Sequence, residues 1–532
     1  MFPLSFVLLL GTAPAGPDWA ALEAQGARIT EIRVEVQDVF DLNDPKENNL
    51  LGRLADKLHR DTREGVIRRA LLFQVGDPVS ARHIHETERQ LRGLDFLKDA
   101  EIVPEPLGNG AVRAHVRVRD AWTLKFSIHY KLLGGQTTRG FALQEQNLLG
   151  TGKTLVFNWV RDPVRTTETF GYRDSQVLGS SWSMIANYAN LSDGSSRQIN
   201  LTRPFQSLDT PWSATFQAAT AESTFALDDR GVTVYQAHSK VDKRLAGAAW
   251  AVARDGDAVW RAGVQVADQE ARYGPMAVDT APGGLPAPDL EPRMLRGPAL
   301  TLGYLQDRYG TWRDLAAVDA TEDYNLGWSW DLAAGKYLPA WGAGEAAPYL
   351  QADLGKGWST GENDLLLLQA SASGRRGDRG WEDTLADVTV IGYWKQTPDW
   401  IGAACLNLDR ALRADPEDVM YLGANEGLRA YPNDLHPGDG RWLLSLEQRA
   451  LTDERWLGIL RLGFVAFADL GGIHRQDGAG WTAPYVGLGG GLRLGDLKSS
   501  LGRVVLVTAS KPVTQTLAAR GWQITVGNVV RF

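Results

Sequence analysis

Residues 153–161, KTLVFNWVR, alternate between two kinds of side chain. Leu155, Phe157 and Trp159 share one face of this stretch, and Asn158 lies on the opposite face. A period of two residues is that of a β-strand, in which successive side chains point to opposite sides of the sheet. The stretch therefore predicts a strand with one strongly apolar face.

Similar alternation continues through most of the chain. Residues 180–190 alternate and are followed by the turn sequence LSDG at 191–194. Residues 522–532 also alternate, except at Asn528 and Val529. From about residue 121 onward, strands of roughly ten residues recur about twenty times, which is typical of a transmembrane β-barrel.

Two architectures are consistent with this alternation, since a soluble antiparallel sandwich shows it as well. The barrel is favoured because the strand series is long and because aromatic residues gather near strand ends, at Trp159, Trp212, Trp442 and Trp522. In lipid, only a closed sheet satisfies all of its backbone hydrogen bonds. We therefore predict a mainly β fold with a closed antiparallel transmembrane barrel over residues 121–532.

Composition excludes several other classes of protein. The 64 acidic and 56 basic residues give a net charge of −8, and no basic stripe stands out, which argues against a nucleic-acid partner. A mean hydropathy of −0.24 argues against helical membrane spans, but it is silent about strands, whose alternation cancels in the average. The single cysteine, Cys405, excludes an intramolecular disulfide and a cysteine-rich metal site.

The N-terminus carries the pattern of an export signal. Residues 6–10 form a short apolar core, and Ala13-Pro14-Ala15 follows as a cleavage sequence of the A-x-A type. No Lys or Arg precedes the core, so an ordinary buried N-terminal strand is the alternative. We predict a signal peptide over residues 1–15.

Residues 28–120 differ from the rest and predict a small α+β domain. Alternating or helical spacing gives the order β-α-α-β-β, with Ser80 as the N-cap of the second helix and a hairpin signal at 108–110. The predicted elements are residues 32–36, 62–73, 81–91, 100–103 and 111–118.

This small domain resembles a polypeptide-transport-associated (POTRA) domain, which is periplasmic. Residues 91–100, LRGLDFLKDA, look like the helix-to-strand junction of that domain, and Gly76-Asp77-Pro78 looks like its turn between helices.

The barrel resembles the bacterial surface antigen superfamily, of the BamA/TamA type. The sequences that carry the resemblance are NLLGTGK at 147–153, RPF at 203–205 with TPW at 210–212, GLRAY at 427–431, FADLG at 467–471 and the end VVRF at 529–532. This resemblance implies sixteen strands, and we predict about sixteen or more.

The same resemblance implies a functional loop inside the barrel. The tip of this loop would be Gly427, Leu428, Arg429 and Tyr431, with Arg429 bound to Asp469 on the wall. Arginine suits such a pair because its planar fork binds a carboxylate through two parallel hydrogen bonds. The alternative is that both charges are solvated in the lumen.

Further site residues follow from the same resemblance. Phe467 and Gly471 belong to the facing strand motif, and Trp522 and Phe532 to the terminal strand that assembly machinery recognises. The chain departs from the family in three ways: Ala430 stands where glycine is usual, only one POTRA-like unit is present, and the strand count exceeds sixteen.

Three other motifs favour structural roles. Gly150 to Thr154 imitates the end of a phosphate-binding loop, but residues 155–160 alternate as a strand where that loop needs a helix. His83 and His85 do not share a helix face, so a solvated helix face is favoured over a metal site. The glycine-rich stretch 487–491 predicts curved strands or the close approach of a loop.

The resemblance implies an outer-membrane protein that inserts or translocates polypeptides, without enzymatic activity and without a cofactor or metal. Expected partners are unfolded outer-membrane or secreted polypeptides and the lipid bilayer, with periplasmic chaperones or accessory lipoproteins as further candidates. The alternatives are a porin-like channel and a structural or adhesive surface barrel. Residues 274–292, 338–348 and 373–380 are expected to form its long loops.

Overall fold

A computed structural model describes residues 18–40, 53, 59–133, 136–280, 284–456, 458–500, 504–516 and 519–529. The predicted signal peptide lies outside the described residues. Among the helices that are described, none has the length and apolar character needed to cross a bilayer.

An N-terminal unit comes first, and its described residues contain three helices with complete bounds and three strands. Its sheet has the order β1-β3-β2, with β1 parallel to β3 and β2 antiparallel to it. Ser80 caps the third helix by accepting a hydrogen bond from the backbone N–H of His83. The elements are α1 (Trp19–Ala24), β1 (Arg28–Gln37), α2 (Glu64–Ala70), α3 (Ala81–Arg92), β2 (Leu97–Gly108) and β3 (Ala111–Asp120).

The rest of the chain forms a closed barrel with one separate hairpin. The first half contains β4 (Leu124–Leu133), β5 (Gln136–Glu145), β6 (Lys153–Arg161), β7 (Thr166–Asp174), β8 (Ser183–Leu191), β9 (Gly194–Arg203), β10 (Trp212–Asp229), β11 (Val232–Asp255), β12 (Ala258–Tyr273), β13 (Ala277–Val278), β14 (Arg293–Gln306), β15 (Tyr309–Arg313) and β16 (Thr321–Asn325).

The second half completes the barrel. It contains β17 (Trp328–Lys336), β18 (Pro348–Trp358), β19 (Asp364–Gly377), β20 (Gly380–Thr397), β21 (Trp400–Leu412), β22 (Met420–Leu422), β23 (His436–Trp456), β24 (Leu460–Arg475), β25 (Gly480–Trp481), β26 (Tyr485–Asp496), β27 (Val504–Pro512) and β28 (Gln523–Val529).

Twenty long strands form the wall, and the sheet closes where β28 pairs with β4. The short segments β13, β22 and β25 extend their neighbours, and β15 and β16 pair only with each other. The predicted fold class is thus confirmed, but the wall has more strands than the sixteen that the family resemblance implies. The loop predicted at 373–380 is wrong, because β19 continues to Gly377 and leaves only a tight turn.

The outer face of the wall is apolar. Large side chains such as Phe126, Ile128 and Leu300 are 59–69% exposed on it. Among the exposed tryptophans of the described residues, eight lie at the wall's end that carries the connections 146–152, 175–182 and 204–211, which we call the N-terminal rim; they are Trp212, Trp250, Trp260, Trp328, Trp358, Trp394, Trp400 and Trp456. Four others lie at the opposite end, namely Trp341, Trp381, Trp481 and Trp522. An exposed apolar band with an aromatic edge is the pattern of a lipid-facing wall.

We expect Ile84→Ala to destabilise the N-terminal unit alone. Ile84 on α3 is fully buried in the core of that unit, and truncating such a side chain costs about 2–5 kcal/mol. Limited proteolysis should then cut within residues 18–120, while the unheated barrel keeps its gel mobility. Arg33→Ala, at an exposed position of β1, is the control. Loss of the folded barrel in Ile84→Ala would contradict the separation of the two cores.

Candidate functional site

An inward loop, residues 423–435 between β22 and β23, fills part of the lumen. Leu428, Ala430, Tyr431 and Leu435 on this loop are at most 1% exposed. The Tyr431 hydroxyl donates to the carbonyl of Val486 at 2.8 Å. It also lies 2.9 Å from the carbonyl oxygen of Thr514, so the tip contacts both β26 and the connection after β27.

Arg429, at the tip of the inward loop, binds Asp469 on β24. Its Nε lies 2.9 Å from Oδ2 and its Nη2 lies 2.6 Å from Oδ1 of that carboxylate, which is fully buried. The guanidinium stacks 3.6 Å from the ring centre of Phe467, and its Nη1 donates to Glu447 at 2.6 Å. The structure thus brings together the predicted pair, whose functional role remains a prediction.

Small residues on the wall make room for this loop. A Cβ at Gly487 would lie 2.6 Å from the Cβ of Ala430, and a Cβ at Gly471 would lie 3.1 Å from the side chains of Leu422 and Leu443. Gly427 has a φ of +121°, which side chains disfavour. Ala430 therefore fits where the family has glycine, because Gly487 supplies the space.

The predicted terminal-strand residues lie apart from this loop. Trp522 is exposed and immediately precedes β28, at the rim opposite the N-terminal rim. Phe532 lies outside the described residues.

A second insert, which the sequence did not predict, crosses the lumen. The hairpin β15–β16 carries a tip, residues 314–320, in which Leu315, Ala316 and Val318 are at most 2% exposed. The tip packs against wall residues on β19, β20, β21, β23, β24 and β27, among them Leu365, Tyr393, Ile401, Leu451, Val465 and Val504. We call residues 309–325 the lumen hairpin.

Buried polar groups fix the lumen hairpin to the wall. Glu322 accepts the backbone N–H of Leu315 at 2.8 Å and that of Ala316 at 3.1 Å. Arg449 on β23 donates to the carbonyl of Leu315 at 2.9 Å, and Arg493 on β26 donates to that of Ala316.

Glu447 connects the two inserts of the lumen. Its Oε1 accepts from Arg429 of the inward loop, and its Oε2 accepts from Arg449, which holds the lumen hairpin, at 2.8 Å. This link was not predicted from the sequence. The alternation of the polar residues Ser445, Glu447 and Arg449, which share the lumen face of β23, was the one sequence pattern that indicates it.

From outside the barrel, the N-terminal unit binds both the lumen hairpin and the short segment that leads into it from β14. Arg92 on α3 binds Asp323 of the hairpin through two hydrogen bonds of 2.9 Å, and Arg89 binds Asp307 at 2.7 and 3.0 Å. Lys98 donates to the carbonyl of Asp319 at 2.6 Å, and burial lowers the pKa of this lysine. We call these three contacts the clasp.

His83 belongs to a further docking contact. Its Nε2 lies 2.6 Å from Asp209 on the connection between β9 and β10, and Arg82 pairs with the same carboxylate. The solvated helix face predicted for His83 and His85 is therefore right only for His85, whose side chain is 57% exposed.

Within the described ranges, His59, Asp61 and Asp120 are the group whose donor atoms lie close enough to hold a metal ion, within 4.8 Å of one another. The carboxylate of Asp120 is already bound by His59 at 2.9 Å and by the N–H and hydroxyl of Thr62 at 2.8 and 2.7 Å. Hydrogen bonding accounts for the cluster, which joins β3 to the segment before α2.

No family model matches the chain, and no curated protein sequence matches it. Among solved structures, it is similar to BamA from Haemophilus ducreyi lacking POTRA domains 1–3, at 12% identity over 95% of this chain and 85% of that chain, with a TM-score of 0.39. It is also similar to CdiB from Escherichia coli, at 14% identity over 93% and 76% of the two chains, with a TM-score of 0.46.

The FrpB iron transporter from Neisseria meningitidis (F3-3 variant) is similar as well, at 9% identity over 81% of this chain and 87% of that chain, with a TM-score of 0.41. BamA, which the predicted resemblance names, is thus among the solved structures to which the chain is similar. The POTRA identity of the N-terminal unit and the predicted domain boundaries remain predictions.

We expect Arg429→Gln to destabilise the barrel by about 3–5 kcal/mol, because it leaves the buried Asp469 carboxylate without its counter-charge. Urea unfolding in detergent measures this loss. The double variant Arg429→Gln with Asp469→Asn should recover much of it, and Arg244→Gln, at a side chain that is 63% exposed, is the control. A double variant as unstable as the sum of the two single variants would argue against direct pairing.

Proposed function

We propose that this chain inserts or translocates polypeptides at the bacterial outer membrane, with the N-terminal unit on the periplasmic side. The observation that supports this proposal is the clasp, since it connects the unit outside the barrel to an insert that lies in the lumen. The work proposed is conformational, so it requires no catalytic group, cofactor or metal.

The lumen must open for a chain to pass through it. Barrels of 16–18 strands already leave an aqueous channel, and this wall has 20 strands. The lumen hairpin and the inward loop occupy that space, and Glu447 ties them together. Movement of the N-terminal unit would pull on the lumen hairpin through Arg92 and Asp323.

The proposed partners are unfolded outer-membrane or secreted polypeptides and the bilayer itself. Periplasmic chaperones or accessory lipoproteins would deliver such clients to the N-terminal unit. Nucleic acid is not a proposed partner, because the net charge is −8 and nucleic-acid binders usually carry a basic surface.

The sheet of the N-terminal unit offers one edge for capture. On the outer edge of β2, Ile102 binds Glu88 through its N–H and Trp19 through its carbonyl. Pro104 and Pro106 follow on the same edge and have no N–H. A client strand that adds to the sheet would therefore pair with the opposite edge, which is β1. The free part of that edge follows Ile32, because the carbonyl of Ile32 already accepts a hydrogen bond from Arg68.

The closing seam offers a sideways exit. Among described residues, β4 and β28 share three register pairs, Tyr130 with Val526, Lys131 with Thr525 and Leu132 with Ile524. The next pair of strands, β4 and β5, is in register along all of β4. Separation at this seam would let a client strand enter the wall.

We expect Arg92→Glu to raise ion conductance several-fold in planar bilayers, because it repels Asp323 and frees the lumen hairpin. The swapped variant, Arg92→Glu with Asp323→Arg, should restore low conductance. Arg82→Glu is the matched control, since it breaks a docking contact at Asp209 that holds no lumen insert. Equal conductance in wild type and Arg92→Glu would contradict the clasp as a latch.

Two crosslinks should distinguish translocation from insertion. Lys131→Cys with Thr525→Cys locks the seam, and Arg92→Cys with Asp323→Cys locks the clasp. If the protein inserts polypeptides into the membrane, we expect the seam lock to abolish its activity. If it translocates polypeptides, we expect the clasp lock to do so. Proteomics of the outer membrane and of the medium measures both activities. Full activity with both locks closed would overturn the proposal.

A cation channel is the second candidate. On the lumen side of the wall, one row of laterally paired residues runs across the strands from β17 to β21. Its members are Asp331, Asp353, Ser371, Asp387 and Asp409, so four of the five are acidic. Such a row attracts cations. Strong cation selectivity in wild type, together with an unchanged proteome after depletion, would favour this candidate.

A further inference from the structure

Two neighbouring connections of the N-terminal rim repeat one unusual turn. In the first, between β5 and β6, Leu149 has φ +54° and Gly150 has φ +73°. In the second, between β7 and β8, Leu178 has φ +52° and Gly179 has φ +73°. Leucine rarely adopts this left-handed conformation, because its Cβ crowds the backbone.

Both leucines point into open space. Leu149 is 65% exposed and Leu178 is 98% exposed. A strained backbone that holds an apolar side chain outside the core calls for an apolar environment beyond the protein. Because the turn repeats at two adjacent connections, one shared environment accounts for both leucines.

A cavity of about 350 Å³ lies beside Leu178, between α2 and these connections; its surface is mostly apolar, and basic side chains are among its lining residues. Arg63, Arg69 and Lys153 line it, with Val66 on its apolar side. Arg69 is held by Gln176 at 2.9 Å. Lys153 pairs with the buried carboxylate of Asp174 at 3.1 Å.

Excess positive charge remains at this cavity. Arg63 is exposed, and no ion pair of its guanidinium is seen with the residues that the structure describes. The residue that follows Arg63, Glu64 at the start of α2, is paired with Arg68. Guanidinium groups in this arrangement are suited to bind a phosphate.

The lipid-facing band begins directly above the cavity. Leu155, two residues after Lys153 along β6, is 43% exposed, and its register partner on β7 is Tyr172. A phosphate at Arg63 and Arg69 would thus sit at headgroup level, with acyl chains along Leu155 and Leu178. Basic sites of this kind at a membrane surface bind anionic headgroups.

We propose that this rim cavity binds the headgroup of an anionic phospholipid, with Leu149 and Leu178 inserted in the same leaflet. The inference depends on the barrel standing in a bilayer and not on what the barrel transports. The bound lipid would hold the N-terminal unit against the membrane beside β6 and β7.

The test uses the full chain in nanodiscs of phosphatidylcholine with a minor share of phosphatidylglycerol, and native mass spectrometry counts the retained lipids. We expect wild type to retain phosphatidylglycerol in excess, and Arg63→Gln with Arg69→Gln to lose that excess several-fold. Arg244→Gln with Arg272→Gln, two arginines that are each 63% exposed on the outer wall, should behave as wild type. Retention in the Arg63/Arg69 variant would overturn the proposal.

Two further measurements distinguish a bound phospholipid from a simple bound anion. Leu149→Asn with Leu178→Asn keeps the charges and should also reduce retention, because it removes the apolar anchors. Inorganic phosphate should fail to displace the bound phosphatidylglycerol; full displacement at millimolar phosphate would identify a simple anion site and overturn the lipid assignment. Gel mobility of the unheated barrel confirms that each variant is folded.

Discussion

Closure of the sheet is the constraint on which the rest of this structure depends. In hydrocarbon, unpaired backbone groups are costly, so β28 must return to β4. That closure is made by few register pairs among described residues, whereas most neighbouring strands are paired along their length. The wall therefore has one seam that is weaker than the rest, and it lies where the chain begins and ends its circuit.

The number of strands sets the second requirement, because a wall of 20 strands encloses more space than its own side chains fill. Two inserts fill it from opposite ends: the inward loop from the far side and the lumen hairpin from the N-terminal rim. Their polar backbones are buried, so each needs partners in the lumen. Asp469, Arg449 and Arg493 supply them, and Glu447 binds the side chains of Arg429 and Arg449. This explains the concentration of buried charge on β23, β24 and β26.

The N-terminal unit is held in position by ion pairs with the N-terminal rim. Its helix α3 carries Arg82, Arg89 and Arg92, which are spaced to reach different connections of the N-terminal rim. One of these contacts reaches the lumen hairpin itself. A series of contacts thus runs from the N-terminal unit through Arg92, Asp323, Arg449 and Glu447 to Arg429 on the far insert.

The sequence by itself determined the fold class, because strand periodicity is local and recurs through most of the wall, as in residues 153–161. It also placed Arg429 opposite Asp469, although only through resemblance, since the two residues are 40 positions apart. It could not show the lumen hairpin, whose residues Leu315 to Ala320 look like an ordinary loop until the wall closes around them. The clasp, Glu447 as the link between inserts and the basic rim cavity were decided by tertiary structure alone, because each combines side chains from strands and helices that only closure and docking bring together.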